Sequence, residues 1–510
     1  MKLGKKIAAA LLGVATMLSI CPTGVAHATE VNTYTYNYDF WGIEYESPDA
    51  YKPTTFITGE SLGTTEFKAP QGLYVRGDKM YIVDTGNSRI LEVQVQGAEI
   101  TLLREIKEFK GDAEVTTFNL PQDIFVTAEG EFFIADTENQ RIVHLDQDLN
   151  LIKLITQPTD DPTVDQSLSF LPTKVVADRA GRAFVLVKSV NKGFMEFEAN
   201  GEFIAYVGAN EVVFNMVDYI KKVFSTKAQR AQMESFTPTE YNNLYIDGSG
   251  FVYCTTSVFE EASLKTDAAK PIRKLNSLGK DILIKNAEYP PIGDLQWDNV
   301  AGMDGPSRLI DVTAFDNEMY YAVDRVRGRI FGYDEQGNLL YAFGGPGNKL
   351  GYFQNPVAID HMDTDLFVLD SSSGGLTRFE LTEYGQLIYN GLEQYDIGEY
   401  EKSAEYWKEV LKLNGNYDLA YIGIGRALLG QGEYEEAMEY FEVKRDDDNY
   451  SRAWKYYRKE WIEENLGYVI VVLAVLILIP SVIKTVKKIK KEAREEYEFQ
   501  IELVRRDQQI

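Results

Sequence analysis

The chain has 510 residues, 45% of them hydrophobic and 12% aromatic, a composition typical of a folded protein too long for one ordinary core. Its formal net charge is −26. No basic face is therefore expected to neutralise phosphates, and this excludes nucleic-acid binding as a function.

The N-terminus has the pattern of a secretory signal peptide. Three lysines precede an apolar run over 7–20, and "AHA" at 26–28 supplies the small residues that a signal peptidase recognises. We expect residues 1–28 to be removed. Cys21 leaves with them, so Cys254 has no partner for an internal disulfide. A large ectodomain without disulfides indicates a bacterial envelope.

Six segments of similar design follow an N-terminal segment at 29–53. Each has a Pro or polar lead-in, a short apolar strand, a turn, a second strand ending near Asp or Thr, and a third strand that often begins with Arg-Ile. They begin near residues 67, 118, 170, 236, 305 and 353. Short strands of this kind cannot bury their faces alone and must stack. The pattern predicts a mainly β fold, a six-bladed β-propeller over 54–382.

Two of these repeats carry the motif Asp-x-x-Asn-x-Arg-Ile. Its members are Asp84, Asn87 and Arg89 in the first repeat, and Asp136, Asn139 and Arg141 in the second. A third copy at 324–330 has Arg327 in the Asn position. We expect the Asp to cap the turn between strands two and three and the Arg to brace adjacent loops. The motif resembles the NHL repeat, which likewise implies a six-bladed propeller.

The two ends of the propeller must meet, because an open ring would leave two unpaired sheet edges. The last repeat has three clear strands, and "PTTFITG" at 53–59 has the pattern of a missing fourth strand. We therefore predict that 54–58 pairs with 377–381. Two longer insertions occur. An amphipathic helix is predicted at 210–235, packed on the propeller or docking a partner, and a loop at 286–305 is expected to overhang the channel.

A second repeat follows the propeller. "GEYEKSAEYWKE" at 398–409 and "GEYEEAMEYFEV" at 432–443 lie 34 residues apart. With small residues at Gly391 and Gly425, this period resembles tetratricopeptide repeats and implies a short α-helical solenoid over 383–465. Such helical pairs usually bind peptide or protein surfaces. A rigid stalk is the alternative.

The stretch 466–483 contains no charged residue, and 18 helical residues reach about 27 Å, enough to cross a bilayer core. Six basic residues follow within "KTVKKIKKEAR". The positive-inside rule then predicts a single-pass membrane protein with 29–465 outside the cell and 484–510 as a cytoplasmic tail. The alternative is a buried helix of a soluble protein.

Candidate site residues come from the channel, because the first strand of each blade lines it. The leading residues of these strands are Gly72, Asp123, Lys174, Asn243, Arg308 and Ala358. Four are polar, and we predict that Asp123, Lys174, Asn243 and Arg308 form a ligand-binding channel mouth. In this hypothesis Lys174 and Arg308 bind an anionic group and Asp123 orients them. A solvated mouth without a ligand is the alternative.

Little points to catalysis. The mature chain keeps only His144 and His361, so no histidine-based zinc or acid–base site is expected. Some propellers of similar type are lactonases, amidating lyases or strictosidine synthase-like proteins. A hydrolase or lyase with a channel-bound Ca²⁺ is therefore the alternative function. Lys174 and Arg308 would repel that cation, and we predict no metal and no cofactor.

The sequence thus predicts a non-enzymatic binding or scaffold protein anchored in a bacterial cell membrane. Its expected partners are proteins, including components of an integral-membrane complex.

Overall fold

The structure is a computed structural model. It describes residues 35–39, 41–209, 241–257, 259, 263–264, 269–287, 289–295 and 305–507. The predicted signal peptide and the predicted helix at 210–235 lie outside these ranges, as does the 296–304 part of the second insertion. The chain divides into two compact units, Met1–Leu387 and Ile388–Ile510.

The first unit is built from six antiparallel sheets, numbered here as blades 1 to 6. Three strands precede them: β1 (Tyr36–Tyr38), β2 (Glu44–Glu46) and β3 (Tyr51–Ile57). Blade 1 contains β4 (Gly72–Arg76), β5 (Lys79–Asp84), β6 (Arg89–Gln96) and β7 (Glu99–Ile106). Blade 2 contains β8 (Asp123–Val126), β9 (Phe132–Asp136), β10 (Arg141–Leu145) and β11 (Leu151–Ile155). Blade 3 contains β12 (Pro172–Ala177), β13 (Ala183–Val187), β14 (Phe194–Phe197) and β15 (Phe203–Val207).

The remaining blades follow in chain order. Blade 4 contains, in its described part, β16 (Asn243–Ile246), β17 (Val252–Thr255) and β18 (Ile272–Leu275). Blade 5 contains β19 (Leu309–Ala314), β20 (Tyr320–Asp324), β21 (Arg329–Tyr333) and β22 (Leu339–Gly344). Blade 6 contains β23 (Pro356–Met362), β24 (Asp365–Asp370) and β25 (Gly375–Leu381).

The six blades form a closed ring. The first strand of each blade contacts the first strand of the next, and β23 of blade 6 contacts β4 of blade 1. Strands such as β9, β13 and β20 are buried at every position, because both of their faces are covered by neighbouring blades. The apolar core therefore lies between blades, and the predicted six-bladed β-propeller is confirmed.

The ring is sealed by the N-terminal strand β3, which pairs antiparallel with β25. The pairing runs from Ile57 opposite Leu376 to Tyr51 opposite Leu381. Blade 6 thus takes its fourth strand from the other end of the propeller, as predicted. The strand is longer toward the N-terminus than the predicted 54–58, because its pairing begins at Tyr51.

The N-terminal segment also contains a hairpin to which the sequence analysis assigned no structure. Its strands β1 and β2 pair with each other, and Tyr36 of β1 pairs with Ala342 of β22. Blade 5 therefore becomes a six-stranded sheet. Tyr36 and Tyr38 are buried, and both hydroxyls donate to the buried carboxylate of Asp294.

The Asp-x-x-Asn-x-Arg motif is a structural clamp. Asp84 accepts hydrogen bonds from Arg89 Nε at 2.7 Å, from Asn87 Nδ2 at 2.8 Å and from the Lys68 backbone N–H at 2.7 Å. The Arg89 guanidinium also donates to the Thr65 carbonyl at 2.6 Å. Asp84 and Arg89 are both almost fully buried. The clamp therefore ties the turn between strands two and three to the lead-in of the same blade.

The second blade repeats this arrangement. Asp136 accepts from Asn139 at 2.9 Å and from Arg141 at 2.8 Å. Contrary to expectation, Asp84 and Asp136 make no side-chain hydrogen bond that caps the turn after them. In blades 5 and 6 the equivalent Asp324 and Asp370 do accept amides of that turn. The predicted bracing role of the Arg is confirmed.

Within the described residues, five helices end the chain. They are α1 (Glu383–Asp396), α2 (Tyr400–Leu413), α3 (Asp418–Gln431), α4 (Tyr434–Lys444) and α5 (Asp447–Asp507). A Cβ added to Gly391 would lie 2.9 Å from the Trp407 ring, and one added to Gly425 would lie 2.6 Å from Phe441. The small and large residues of the 34-residue period therefore pack against each other, which explains their spacing.

The last helix, α5, is 61 residues long and includes the apolar stretch 466–483. Its start packs on α4, where the rings of Tyr434 and Tyr456 stack. The apolar stretch itself is exposed throughout. Among the described residues, α5 is the one helix long and apolar enough to cross a membrane.

Replacing Ile57 tests whether β3 is part of the propeller core. Ile57 is 3% exposed and packs with blades 1 and 6. We expect Ile57→Ala to lower the free energy of unfolding by about 2–4 kcal/mol through a cavity at the seam. Lys52→Ala, at an exposed position of the same strand, should change it by less than about 0.5 kcal/mol. Chemical denaturation measures both. Equal effects would contradict the seam assignment.

Candidate functional site

The register of the first strands shows which residues share one level of the channel. Asp123 in blade 2 and Asp311 in blade 5 each pair with the residue just before the motif Asp of strand two. Arg308, which the sequence analysis placed at this level, lies three residues earlier. The spacing from the lead-in proline differs between these blades: Asp123 follows Pro121 by two residues and Asp311 follows Pro306 by five, so a fixed count from the proline reaches Arg308 instead.

Two of the predicted site residues form an ion pair. Lys174 Nζ lies 3.3 Å from Asp123 Oδ1, and the two side chains are 12% and 7% exposed. Asp123 Oδ2 also accepts the Val175 backbone N–H at 2.9 Å. The sequence analysis predicted these residues as part of a ligand-binding channel mouth; in the structure Asp123 is buried, Lys174 is partly buried, and the two pair with each other.

Burial and charge compete in this pair. Burial raises the pKa of the Asp123 carboxyl, and Lys174 opposes that rise only in part. Burial also acts to lower the pKa of Lys174, but the carboxylates of Asp123, Asp311 and Asp360 outweigh it, so the pKa of Lys174 is raised. Lys174 is therefore the shared counter-charge of three buried acids.

The same three aspartates connect neighbouring blades. Each accepts a backbone N–H from the first strand of the next blade around the ring. These bonds are Asp123 to Val175 at 2.9 Å, Asp311 to Ile359 at 2.8 Å and Asp360 to Val75 at 2.7 Å. They join blade 2 to 3, blade 5 to 6 and blade 6 to 1. Hydrogen bonds between an ionised acceptor and a backbone donor are among the stronger ones in proteins.

Asn243, the third predicted site residue, joins this network from blade 4. Its Nδ2 donates to Asp311, and Asn243 is 1% exposed. Burial raises the pKa of Asp311 to about 6. The sequence analysis did not select Asp311, although Asp123 and Asp311 are each followed directly by a β-branched apolar residue, Ile124 and Val312, a signal that would have found it.

Asp360 is the centre of a second cluster that the sequence analysis missed. It accepts from Thr313 Oγ1 at 3.0 Å and from the His361 backbone N–H at 2.8 Å. Burial raises the pKa of Asp360 to about 7 and lowers that of His361 to about 4. His361 is thus neutral at physiological pH, and its Nδ1 lies 2.6 Å from Thr313 Oγ1.

Arg308 does not reach these groups. Its guanidinium donates to the Ser257 carbonyl at 2.7 Å and lies 4.5 Å from the centre of the Phe259 ring. It therefore fastens the start of blade 5 to the end of strand two of blade 4. The structure brings together Asp123 and Lys174, links Asn243 to Asp311, and places Arg308 elsewhere.

The channel residues do not fit a calcium ion. Ca²⁺ takes six to eight oxygen ligands, whereas here the carboxylates are spread over different blades and share an ammonium group. Among the described residues, no group of three or more His, Cys, Asp or Glu side chains could hold a metal ion. The other histidine, His144, stacks on Phe133 with its Nε2 2.8 Å from Glu131, as a structural residue would.

The chain has only remote similarity to known proteins. No family model and no curated protein sequence matches the chain. Among solved structures, virginiamycin B lyase from Staphylococcus aureus aligns at 10% identity and a TM-score of 0.38, over 65% of this chain and 100% of that one. A streptogramin B lyase aligns at 10% identity and 0.41, over 66% and 100%. A putative gluconolactonase aligns at 9% identity and 0.39, over 69% and 98%. Similarity at this level carries no information on activity.

Removing the Lys174 ammonium should destabilise the propeller. We expect Lys174→Met to lower the free energy of unfolding by about 3–5 kcal/mol, because it leaves buried carboxylates without their counter-charge. Lys188→Met, an exposed lysine of the same blade, is the matched control and should have little effect. Adding Asp123→Asn should recover part of the loss. If Lys174→Met unfolds at the same denaturant concentration as the parent, the ion cluster is not structural.

The raised pKa of Asp360 predicts a pH effect with a definite sign. A carboxyl whose folded-state pKa lies above its unfolded value adds stability at low pH and loses it as pH rises toward about 7. His361, whose pKa is lowered, makes stability rise with pH instead. The quantity to measure is therefore the difference in unfolding free energy between the Asp360 variant and the parent, in which the contribution of His361 cancels. The stability of Asp360→Asn relative to the parent should rise between pH 5 and 8 by about 1–3 kcal/mol. Asp148→Asn, at an exposed turn, is the control. A pH-independent difference would contradict the expectation.

Proposed function

We propose that the protein is a membrane-anchored binding protein whose propeller recognises a protein partner outside the cell. The observation that carries the proposal is the ion cluster of the channel. Its charged side chains already form ion pairs with one another or hydrogen bonds to neighbouring blades; they belong to Asp123, Lys174, Asp311 and Asp360. Their chemistry stabilises the ring, and the outer surfaces of the blades and loops are left for recognition.

The proposed membrane anchor is α5. Its 466–483 stretch has exposed apolar side chains and no charge, and the basic stretch 484–494 follows it directly. Exposed Trp461 and Tyr468 lie near the N-terminal end of the stretch, where aromatic residues favour a membrane interface. The proposed topology places 29–465 outside and 484–510 in the cytoplasm.

Two resemblances support the binding role. The buried Asp–Asn–Arg clamps of blades 1 and 2 have the residues of the NHL repeat. The packing of Gly391 on Trp407 and of Gly425 on Phe441 fits tetratricopeptide hairpins. We propose that the helical hairpins α1–α4 contribute to the contact with an integral-membrane partner complex, so that the protein acts as an accessory subunit.

Affinity purification tests this proposal. The full chain, with a tag after Ile510, is extracted in mild detergent and its companions are quantified by mass spectrometry. A chain lacking 35–382 keeps the helical unit and serves as the control. We expect a defined protein partner to be at least tenfold depleted in the control. Recovery of the same partner with both chains would mean that the helical unit alone binds it, and would overturn the role of the propeller.

Two further measurements separate the alternatives. Protease added to intact cells should degrade the propeller and spare the tag, whereas protection of the propeller would contradict the topology. Millimolar Ca²⁺ should leave the unfolding temperature of the full chain unchanged. A clear Ca²⁺-dependent rise would instead favour the hydrolase or lyase reading.

A further inference from the structure

The basic stretch 484–494 of α5 stands out against the acidic composition of the chain. The formal net charge is −26, yet this stretch contains five lysines, one arginine and a single acid, Glu492. All of it is helical, and all of it is exposed. It begins at Lys484, directly after the apolar stretch 466–483. Its charges therefore face whatever surrounds the C-terminal end of that apolar stretch.

Distance along α5 places part of this charge at the level of lipid headgroups. A helix rises 1.5 Å per residue, so Lys484, Lys487 and Lys488 lie within about 8 Å of Ile483 along the axis. The headgroup layer on one side of a bilayer is about 5–8 Å thick. In the proposed topology the apolar stretch fills the hydrocarbon core. These three ammonium groups then lie among the headgroups of the cytoplasmic leaflet.

The cations nearest the apolar stretch have no strong partner within the protein. Among the described residues, Lys484 and Lys487 form no ion pair. The first pair along the stretch joins Lys488 to Glu492 at 3.7 Å, with side chains that are 76% and 62% exposed. Exposed pairs of this kind within a helix are weak. Binding an external anion would therefore cost this segment little internal stabilisation.

The six cations share one side of α5. At 3.6 residues per turn they span an arc of about 160°, and Val486, Ile489 and Ala493 lie outside that arc on the other side of the helix. Charges that are segregated in this way can meet several anions at once. The arrangement fits a surface of repeated anions, such as a layer of phospholipid headgroups, better than one small dissolved anion.

The other end of the apolar stretch carries the opposite charge. Residues 460–465 contain Glu460, Glu463 and Glu464 and no basic residue. Carboxylates at that position repel anionic headgroups. The charge pattern of α5 therefore favours anionic lipid at the C-terminal end of the apolar stretch alone.

We propose that the basic stretch 484–494 binds the headgroups of anionic phospholipids in the cytoplasmic leaflet, with Lys484, Lys487 and Lys488 making the closest contacts. A lysine ammonium is a compact charge with three donors that suits phosphate oxygens. Phosphatidylcholine carries its own cation beside the phosphate, whereas phosphatidylglycerol does not, so the lysines select the second. The inference rests on the proposed membrane anchor and is independent of the partner of the propeller.

Energy transfer to labelled lipids tests the anchor and the lipid choice separately. A donor dye is attached to Thr485→Cys in the full chain, since Cys254 is buried. The parent chain, carried through the same labelling, is the blank. The protein is reconstituted in phosphatidylcholine vesicles that contain a trace of phosphatidylglycerol or phosphatidylcholine with an acceptor on the acyl chain. We expect the transfer to show phosphatidylglycerol enriched about two- to fivefold around position 485.

The two ways in which this experiment can fail are distinct. Equal transfer to both labelled lipids would overturn the lipid inference and leave the membrane anchor standing. No transfer to either lipid would contradict the anchor, and the lipid inference with it.

Variants test which cations act. Lys484→Gln, Lys487→Gln and Lys488→Gln, introduced together, should abolish the enrichment, and α5 should stay helical because Gln and Lys have similar helix propensity. The same three residues changed to Arg keep the charge and should retain the enrichment. Arg505→Gln with Arg506→Gln is the matched control. These arginines lie about 33 Å beyond the apolar stretch, several Debye lengths away, and should have no effect. Enrichment that survives the three Gln substitutions, or that the control also abolishes, would contradict the assignment.

Salt provides a further check on the mechanism. Raising the salt concentration from about 0.1 M to about 1 M shortens the Debye length from about 10 Å to about 3 Å. The enrichment of phosphatidylglycerol should then disappear, while transfer to labelled phosphatidylcholine stays unchanged because insertion of the apolar stretch does not depend on salt. An enrichment that persists at high salt would contradict recognition by charge.

Discussion

A ring of sheets has one constraint that a stack of sheets lacks: its last member must be joined to its first. Here β3 meets that constraint by completing blade 6, and Thr54 thereby approaches Glu380, 326 residues away along the chain. Contacts of such sequence separation form late, because the loop they close must first lose its conformational freedom. Ring closure therefore makes the stability of every blade depend on both ends of the propeller.

Closure brings the first strands together on the axis, and this explains the charges found there. Backbone N–H groups of the first strands need acceptors, and Asp123, Asp311 and Asp360 supply them across blade boundaries. Buried carboxylates are costly unless they are paired, so the single ammonium of Lys174 serves all three. A polar axis in this molecule is a consequence of how blades are joined, and polarity alone does not identify a catalytic centre.

Much of this architecture was predictable from local sequence. The blades follow from short apolar strands and turn residues, and the seam follows from a count of strands in the last blade. The register of the first strands was harder to predict, because Asp311 lies five residues after its lead-in proline and Asp123 only two, so a fixed count selected Arg308. The pairing of the β1–β2 hairpin with blade 5 joins segments distant in sequence, and a local sequence pattern does not reveal such a pairing.

The continuity of α5 has a mechanical consequence. A helix of 61 residues is about 90 Å long, and its backbone hydrogen bonds make it stiff in torsion. A rotation of α5 about its own axis, imposed where it packs on α4, is therefore transmitted to its far end with little loss. Pro480 removes one backbone hydrogen bond in the C-terminal part of the apolar stretch, and α5 therefore bends most easily at this residue. In the proposed topology that point lies within the membrane, close to the cytoplasmic side.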